Sequence, residues 1–151
     1  MGKEIERKFL VTNKSFKQLC SSSVRIRQGY LNRDPDRTVR VRVIGDHACI
    51  TIKGRNHGAV RDEWEFPIEP KQAVELLNLC DGGIIDKTRY YVEVANNLRW
   101  EVDEFHGTLA PLIVAEIELP AVDFEIELPT FVGKEVTDDP AYFNSALSAQ
   151  A

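Results

Sequence analysis

Charged residues stand two positions apart inside apolar segments in one stretch of this chain after another. The first case lies near the N-terminus, where Glu4, Glu6 and Lys8 alternate with Ile5 and Phe9. Successive side chains of a β-strand point to opposite faces, so this spacing predicts a strand with one charged and one apolar face. On spacing alone, an ordinary half-buried strand with its charges in water gives the same pattern. The repetition of the pattern is what constrains the fold.

The later charged pairs are sorted by sign. Each pair is wholly acidic or wholly basic, whereas a solvated strand face normally mixes Lys, Glu, Thr and Ser. Like charges side by side repel one another. Sorted pairs therefore indicate two kinds of ligand, one cationic and one anionic. The basic pairs are Arg40 with Arg42 and Lys87 with Arg89, and the acidic pairs are Glu63 with Glu65, Glu101 with Asp103, and Glu116 with Glu118.

Alternation and turn residues together predict about eight strands and two or three helices. Helices are expected from a cap at residue 12 or 13 to about residue 20, over 70–80 with a stop at 81–83, and after a cap at residue 137 or 138. The sequence of residues 116–120 is repeated at 125–129, and the prolines that bound the second copy favour a connection there. The strands are expected at 3–10, 24–31, 38–44, 47–53, 61–68, 84–94, 98–105 and 112–119.

The second of these strands carries polar residues on both faces. Arg25 and Arg27 fall on one face, and Gln28 and Tyr30 fall on the other. Gly29 is typical of a bulge that switches faces. The sequence therefore leaves open which pair points inward.

Eight strands in hairpin order are more than one flat two-layer sheet accommodates well. Closure into a barrel removes the exposed edges. We therefore predict an α+β fold, an eight-stranded antiparallel closed β-barrel with flanking helices, as one domain over residues 1–151. The charged faces would line the interior, and the helix at 70–80 and the C-terminal helix would cover the outer apolar faces.

Composition excludes several classes of function. No run approaches the roughly 18 apolar residues that a membrane span needs, and the charged N-terminus argues against a signal peptide, so the cytoplasm is the expected location. The net charge of −5 argues against a general nucleic-acid surface. The three cysteines lack metal-ligand spacing and are expected as buried free thiols, and the three histidines are scattered.

If the charged faces share one cavity, it holds two sets of ligands. Carboxylate oxygens without His or Cys select a hard cation such as Mg²⁺ or Mn²⁺. Arginine and lysine select phosphate oxygens. A site with both is what a metal-bound polyphosphate requires. The acidic set is Glu4, Glu6, Glu63, Glu65, Glu101, Asp103, Glu116 and Glu118, and the basic set is Lys8, Arg40, Arg42, Lys53, Lys87 and Arg89.

The same residues resemble the motifs of the CYTH, or triphosphate tunnel metalloenzyme, superfamily. Its N-terminal E-x-E-x-K signature matches Glu4-x-Glu6-x-Lys8. The likeness continues nearly to the C-terminus, and eight such motifs in order are a specific signal. The matching segments are 28–31, 39–42, 51–54, 63–65, 87–90, 101–103, 115–118 and 133–137, followed by the final helix with its asparagine.

The resemblance implies an eight-stranded antiparallel tunnel that binds a triphosphate along its axis with a divalent metal. Glu4, Glu6, Lys8 and Lys87 are then the catalytic candidates. The implied metal-binding or water-positioning residues are Glu4, Glu6, Glu63, Glu65, Asp103, Glu116 and Glu118. The implied triphosphate-binding residues are Lys8, Arg40, Arg42, Lys53, Lys87 and Arg89, together with Lys134, which lies outside the predicted strands.

Members of this superfamily differ in substrate. The class IV adenylate cyclases resemble H-F-x-x-x-x-E-x-E-x-K at the N-terminus, whereas only three residues precede Glu4 here, which counts against a cyclase. The length and the ending of this chain are similar to those of inorganic triphosphatases. The alternatives are hydrolysis of thiamine triphosphate or a nucleoside triphosphate, cyclisation of ATP, and a non-catalytic polyphosphate-binding module. The expected partner is a small-molecule triphosphate, without nucleic acid or membrane; a homodimer is compatible with the sequence.

Overall fold

Eight antiparallel strands close into a barrel in the computed structural model, which describes residues 2–151. A ninth strand and three short α-helices complete the described part of the chain. None of the helices within it is long and apolar enough to cross a membrane. The elements are β1 Gly2–Val11, α1 Phe16–Leu19, β2 Ser22–Asn32, β3 Arg37–Ile44, β4 His47–Gly54, β5 Val60–Ile68, α2 Pro70–Leu77, β6 Asp81–Glu93, β7 Arg99–Phe105, β8 Ile113–Glu118, β9 Val132–Glu135 and α3 Asn144–Ser148.

Strand β1 closes the barrel because it pairs on both of its edges. The sheet order is β5-β4-β3-β2-β6-β7-β8-β1-β9, with a further pairing of β5 with β1. Lys8 of β1 stands opposite Glu116 of β8, and Glu4 stands opposite Arg61 of β5. The closed antiparallel barrel of the sequence prediction is confirmed.

Turn residues set the hairpins where the sequence predicts them. Gly45, between β3 and β4, has a φ of 58°. Asn96 and Asn97, between β6 and β7, have φ values of 64° and 58°. Asparagine tolerates this left-handed conformation better than other side-chain-bearing residues. The second copy of the repeated pentapeptide, at 125–129, lies in an irregular connection as predicted.

Two apolar clusters cover the outside of the barrel. Ala73 and Leu77 of α2 pack with Val41 and Ala48 on the outer faces of β3 and β4. On the other side, the outer faces of β1, β7 and β8 pack around Trp100, which is fully buried beside Phe131. The apolar face of each of these five strands therefore points outward, which leaves their charged face to line the interior.

A third cluster closes one end of the interior. Ile85, Phe105 and Val114 occupy the same strand parity as the charged rows and pack against Leu147 of α3. The prediction that the C-terminal helix covers an outer face is therefore wrong, because its apolar side chain seals the barrel end instead. The predicted helix is also divided into a 3₁₀ turn, Pro140–Tyr142, and α3, and Asp139 rather than residue 137 or 138 caps the turn.

Other boundaries differ from the sequence prediction for local reasons. Helix α2 ends at Leu77, and residues 81–83 begin β6 rather than stop a helix, since pairing with β2 extends to Asp81. The first helix is a single turn. Strand β9 has only four residues, one of them a glycine, and its strand conformation depends on pairing with β1. The three cysteines are free but half-buried rather than buried.

The structure decides which face of β2 points inward. Gln28 and Tyr30 are buried at 0% and 5% exposure, whereas Arg25 and Arg27 are exposed on the outer face. The expected switch of faces at Gly29 is wrong, because the irregularity lies in the opposing strand β6, between Asp81 and Ile85. Gly29 is required there for close approach: a Cβ atom would lie 2.8 Å from Cys80 Sγ.

Candidate active site

The charged rows of the barrel strands meet in one interior lumen. Its open part has a volume of about 270 Å³ and is lined by side chains of seven strands together with Asn144 of the C-terminal segment. Many of these charged groups are withdrawn from water: Lys87 is 0% exposed and Asp103 is 2% exposed. The predicted side chains that the structure brings together are Glu4, Glu6, Glu63, Glu65, Glu101, Asp103, Glu116 and Glu118, and Lys8, Arg40, Arg42, Lys53, Lys87 and Arg89.

Asp103 holds two buried cations in place. Its Oδ2 accepts a hydrogen bond from Lys87 Nζ at 2.7 Å, and its two oxygens accept from Arg89 Nε and Nη2 at 2.8 and 2.9 Å. Burial opposes ionisation of Asp103, but the charges of Arg89 and Lys87 lower its pKa to about 2. Two cations share this one buried carboxylate, and Arg89 Nη1 also lies 3.3 Å from Oε2 of the partly exposed Glu101.

Burial has the opposite effect on Lys87. Together with the neighbouring Arg89 and Arg42 guanidiniums, it lowers the pKa of Lys87 to about 7, against the attraction of Asp103. An anion bound next to these cations would stabilise their protonated forms, because a nearby opposite charge favours the charged form of a group. This end of the lumen is therefore suited to phosphate.

Lys8 lies where basic and acidic side chains meet. Its Nζ is 3.4 Å from Glu116 Oε1 and donates to the backbone oxygen of Tyr142 at 2.9 Å. Burial acts to lower the pKa of Lys8, but Glu116 and Glu6 raise it above its ordinary value. Lys8 is therefore a fixed positive charge.

Three further cations point into the lumen from β3 and β4. Lys53 Nζ donates to both oxygens of Glu4, at 2.8 and 3.1 Å. Arg40 Nη2 donates to Thr51 Oγ1 at 3.1 Å and lies 3.9 Å from Glu65 Oε2. Thr51 and Lys53 share the interior face of β4.

Arg42 is held differently from the other lumen cations. Its Nε donates to Gln28 Oε1 at 2.7 Å, and among residues 2–151 no carboxylate forms an ion pair with it. Burial, followed by repulsion from Arg40 and Arg89, lowers the pKa of Arg42 to about 10. Its positive charge is thus available to a ligand.

Carboxylates crowd one another on the other side of the lumen. Burial, then the nearby Glu116 and Glu4 charges, raises the pKa of Glu6 well above its ordinary value. Burial and Glu4 likewise raise the pKa of Glu63, and burial with Glu4, Glu63 and Glu101 raises that of Glu118. A bound cation would relieve this mutual repulsion.

This donor set fits a hard divalent cation. Within the described residues, no three acidic, histidine or cysteine side chains converge closely enough to form a complete metal centre. Mg²⁺ is characteristically bound by one or two carboxylates together with substrate phosphates and water, rather than by an all-protein cage. The lumen therefore fits a metal that is completed by its phosphate ligand.

One predicted site residue lies apart from the others. Lys134 is exposed on β9 and borders a shallow surface depression with Glu135 and Thr137. Two cavities of the lumen share Glu4, Glu6 and Arg40 among their lining residues, and Lys134 lines neither of them.

Some residues that line the lumen are not among the predicted site residues. Arg61 lies two residues before Glu63 on the same face of β5, so the two-residue spacing of charged residues could have identified it. Gln28 and Tyr30 were ambiguous because both faces of β2 are polar. Asn144 reaches the lumen from α3, outside the barrel strands, and no strand periodicity identifies it.

Comparison with known proteins gives a consistent result. The CYTH domain family profile matches residues 2–143. A protein of Acetivibrio thermocellus described as an inorganic triphosphatase is 45% identical over 148 residues, which is 97% of this chain and 94% of the relative. A protein of Nitrosomonas europaea with the same description is 36% identical over 148 residues, 96% of each chain.

Solved structures agree with these sequence relatives. The crystal structure of the inorganic triphosphatase NE1496 matches with a TM-score of 0.68 and 32% identity, over 100% of this chain and 97% of that one. The PH1012 protein from Pyrococcus horikoshii matches with a TM-score of 0.63 and 22% identity, over 78% and 79% of the two chains. The second likeness concerns the fold alone.

Proposed function

The chain belongs to the CYTH domain family, and on that premise we propose that it hydrolyses inorganic triphosphate to pyrophosphate and orthophosphate inside its lumen. Two relatives that match nearly its whole length are described as inorganic triphosphatases. Triphosphatases of this family are generally dependent on a divalent metal. We propose Mg²⁺ or Mn²⁺ for this chain.

The observation that supports this function most is the separation of charge along one lumen. Lys87, Arg89 and Arg42 are buried together, with Asp103 between Lys87 and Arg89 and with the partly exposed Glu101 at 3.3 Å from Arg89. Glu6, Glu63 and Glu118 face the same space with raised pKa values. An anion alone would satisfy only the first group, and a cation alone only the second. A metal-bound triphosphate satisfies both.

The carboxylates divide into two roles in this proposal. Asp103 is 2% exposed and accepts hydrogen bonds from Lys87 and Arg89, so we propose that it orients these two cations, while its metal role stays a prediction. When bound, the metal neutralises phosphate charge and lowers the pKa of a bound water. The residues proposed to hold it are Glu4, Glu6, Glu63, Glu65, Glu116 and Glu118.

The cations bind and orient the phosphate chain. In hydrolysis, a water oxygen attacks the terminal phosphorus in line, and the bond to the bridging oxygen breaks as negative charge spreads over the phosphoryl oxygens. Fixed positive charges aimed at those oxygens stabilise this charge without reorganising during the reaction. Lys8, Arg40, Arg42, Lys53, Lys87 and Arg89 are proposed for this role.

Lys8 and Glu6 lie beside one another where the two sets meet, next to Glu4. This position suits Glu4 and Glu6 for orienting the attacking water and Lys8 for stabilising charge on the transferred phosphoryl group. Lys87 is proposed to stabilise the same charge from the buried cluster with Asp103. These catalytic roles, and the exposed Lys134 as an outer phosphate ligand, stay predictions. So do the cytoplasmic location, the absence of nucleic acid as a partner and the homodimer.

A phosphate-release panel tests the function. Tripolyphosphate, ATP, thiamine triphosphate and pyrophosphate are each incubated with the full chain and Mg²⁺, Mn²⁺ or EDTA. We expect tripolyphosphate to give orthophosphate and pyrophosphate in equal amounts, with the highest kcat/KM of the panel and no turnover in EDTA.

Other outcomes of the panel identify the alternatives. A higher kcat/KM for ATP or thiamine triphosphate would assign an organic substrate, and cyclic AMP formation would assign a cyclase. Thermal stabilisation by tripolyphosphate without phosphate release would indicate a binding module. Neither stabilisation nor release would contradict the proposed site.

A further inference from the structure

Two buried nitrogen donors in the lumen have no acceptor within residues 2–151. They are Gln28 Nε2 and Arg40 Nε. Gln28 stands opposite Arg42 on the paired strands β2 and β3, and Arg40 lies two residues before Arg42 on the same face. Buried donors in native proteins nearly always have a partner in the protein or in ordered water, so these two donors on neighbouring strands leave room for an acceptor from outside the chain.

The orientation of the Gln28 carboxamide follows from its neighbour. An arginine guanidinium has five N–H donors and no acceptor. The group that receives Arg42 Nε at 2.7 Å must therefore be the Gln28 oxygen. Nε2 then carries two N–H donors that no described atom of the chain accepts, and the 0% exposure of Gln28 shields them from bulk water.

A neutral partner leaves Arg42 with its full charge. The other basic residues predicted for the lumen contact carboxylates, as Lys53 contacts Glu4 and Lys8 contacts Glu116. Gln28 fixes the position of Arg42 through an uncharged oxygen instead. A glutamate of nearly the same shape would fix it equally well but cancel its charge.

We propose that Gln28 is a substrate-binding residue: Oε1 orients Arg42, and Nε2 donates a hydrogen bond to a phosphate oxygen of the triphosphate. The orphaned Arg40 Nε, two residues from Arg42, donates to the same phosphate chain. The chemical reason is that both orphans are donors next to an uncompensated cation, and phosphate oxygens are acceptors that carry negative charge. This inference rests on the proposed function, because it requires the triphosphate to occupy the lumen.

Gln28→Glu is the sharpest test, since it preserves size and the contact with Arg42 while it removes both N–H donors and adds a negative charge. Loss of a hydrogen bond to a charged group corresponds to about a 10- to 100-fold change in affinity. We expect KM for tripolyphosphate to rise by about this factor, with a smaller change in kcat. The matched control is Gln72→Glu, which makes the same charge change on the exposed face of α2.

Binding without turnover gives a second readout. Tripolyphosphate in EDTA is titrated into each variant by calorimetry and in thermal unfolding. Wild type and Gln72→Glu are expected to bind alike, and Gln28→Glu is expected to bind at least about tenfold more weakly. If Gln28→Glu fails to fold, Gln28→Met, which is uncharged and similar in length, takes its place with the same expected direction.

The outcomes separate this inference from the proposed function. A folded Gln28 variant that binds and turns over tripolyphosphate like wild type would overturn the role of Gln28, and would indicate that ordinary water satisfies Nε2. A wild type that neither binds nor hydrolyses tripolyphosphate would overturn the proposed function itself. Equal losses of tripolyphosphate affinity in Gln28→Glu and Gln72→Glu would show that the effect depends only on the net charge of the protein. This result would also overturn the inference.

Discussion

Individual lumen cations differ in what holds them before a ligand arrives. Asp103 fixes Lys87 and Arg89 together, whereas Arg40 relies on the hydroxyl of Thr51 and a distant contact with Glu65. A side chain held by its neighbours loses little entropy when it binds substrate. The lumen is therefore largely preorganised for phosphate.

Replacing Arg40 by alanine tests whether the positive charge of its side chain contributes to turnover. We expect Arg40→Ala to lower kcat/KM for tripolyphosphate by about a hundredfold or more, because a preorganised charge in a buried site is lost. Arg27→Ala is the matched control, since Arg27 is exposed on the outer face of β2. Steady-state phosphate release measures both. Wild-type kinetics in a folded Arg40→Ala protein would remove Arg40 from the site.

The repeated pentapeptide supplies a control for the acidic side. Glu118, in the first copy, lines the lumen, and its sequence counterpart Glu127, in the second copy, is exposed on a connection outside the barrel. We expect Glu118→Gln to raise the Mg²⁺ concentration needed for half-maximal rate by about tenfold, since an amide oxygen carries no charge. Glu127→Gln should leave it unchanged. A magnesium titration that gives the same result for both variants would exclude Glu118 as a ligand.

At the scale of elements, β9 is a short strand bound to the barrel by side chains as well as by backbone pairing. Arg7 donates to the two oxygens of Glu135 at 2.9 and 2.8 Å, and Thr137 Oγ1 donates to the same carboxylate at 2.6 Å. The hydrogen bond from Arg7 lowers the pKa of Glu135 below its ordinary value. Because the Arg7–Glu135 ion pair is partly exposed to solvent, it contributes only modestly to the free energy of unfolding.

The lowered pKa gives the pair a defined pH dependence. Its stabilisation is fully present above the unfolded pKa of about 4.3 and is lost as the pH falls through the lower folded pKa. We expect Glu135→Gln to reduce stability by about 0.5–1 kcal/mol at pH 7, and the difference from wild type to shrink steadily below pH of about 4. Thermal unfolding from pH 7 to 3 measures it. A difference that grows on acidification would contradict this assignment.

Helix α2 contributes to stability rather than to the site. Leu77 is 5% exposed and packs on β3 and β4 from outside the barrel. Leu77→Ala should lower the free energy of unfolding by about 2–4 kcal/mol through the cavity it leaves, with KM for tripolyphosphate unchanged. Leu79→Ala is the control, because Leu79 is 71% exposed. A large rise in KM for the Leu77 variant would mean that the outer packing sets the lumen geometry.

For the whole molecule, strand periodicity was enough to predict the barrel and most of the lumen. Residues such as Arg40, Arg42 and Glu116 sit on strands whose opposite parity is apolar, so only one face can point inward. Periodicity did not select a face of β2, because both faces of that strand carry polar residues.

Features that depend on distant contacts were not predictable from local sequence. Strand β9 forms because β1 offers a free edge, and α3 closes the barrel end because Leu147 meets three separate strands there. The neutral contact between Gln28 and Arg42 likewise requires the register of β2 with β3. None of these has a signature within its own segment.

A crystal structure of the chain with tripolyphosphate and Mn²⁺ tests the central claim most directly. We expect the phosphate chain to lie in the lumen, in contact with Arg40, Arg42 and Lys87. We also expect an anomalous manganese peak between the phosphate oxygens and the lumen glutamates. Tripolyphosphate bound on the outer surface, with the lumen side chains still paired only with one another, would contradict it.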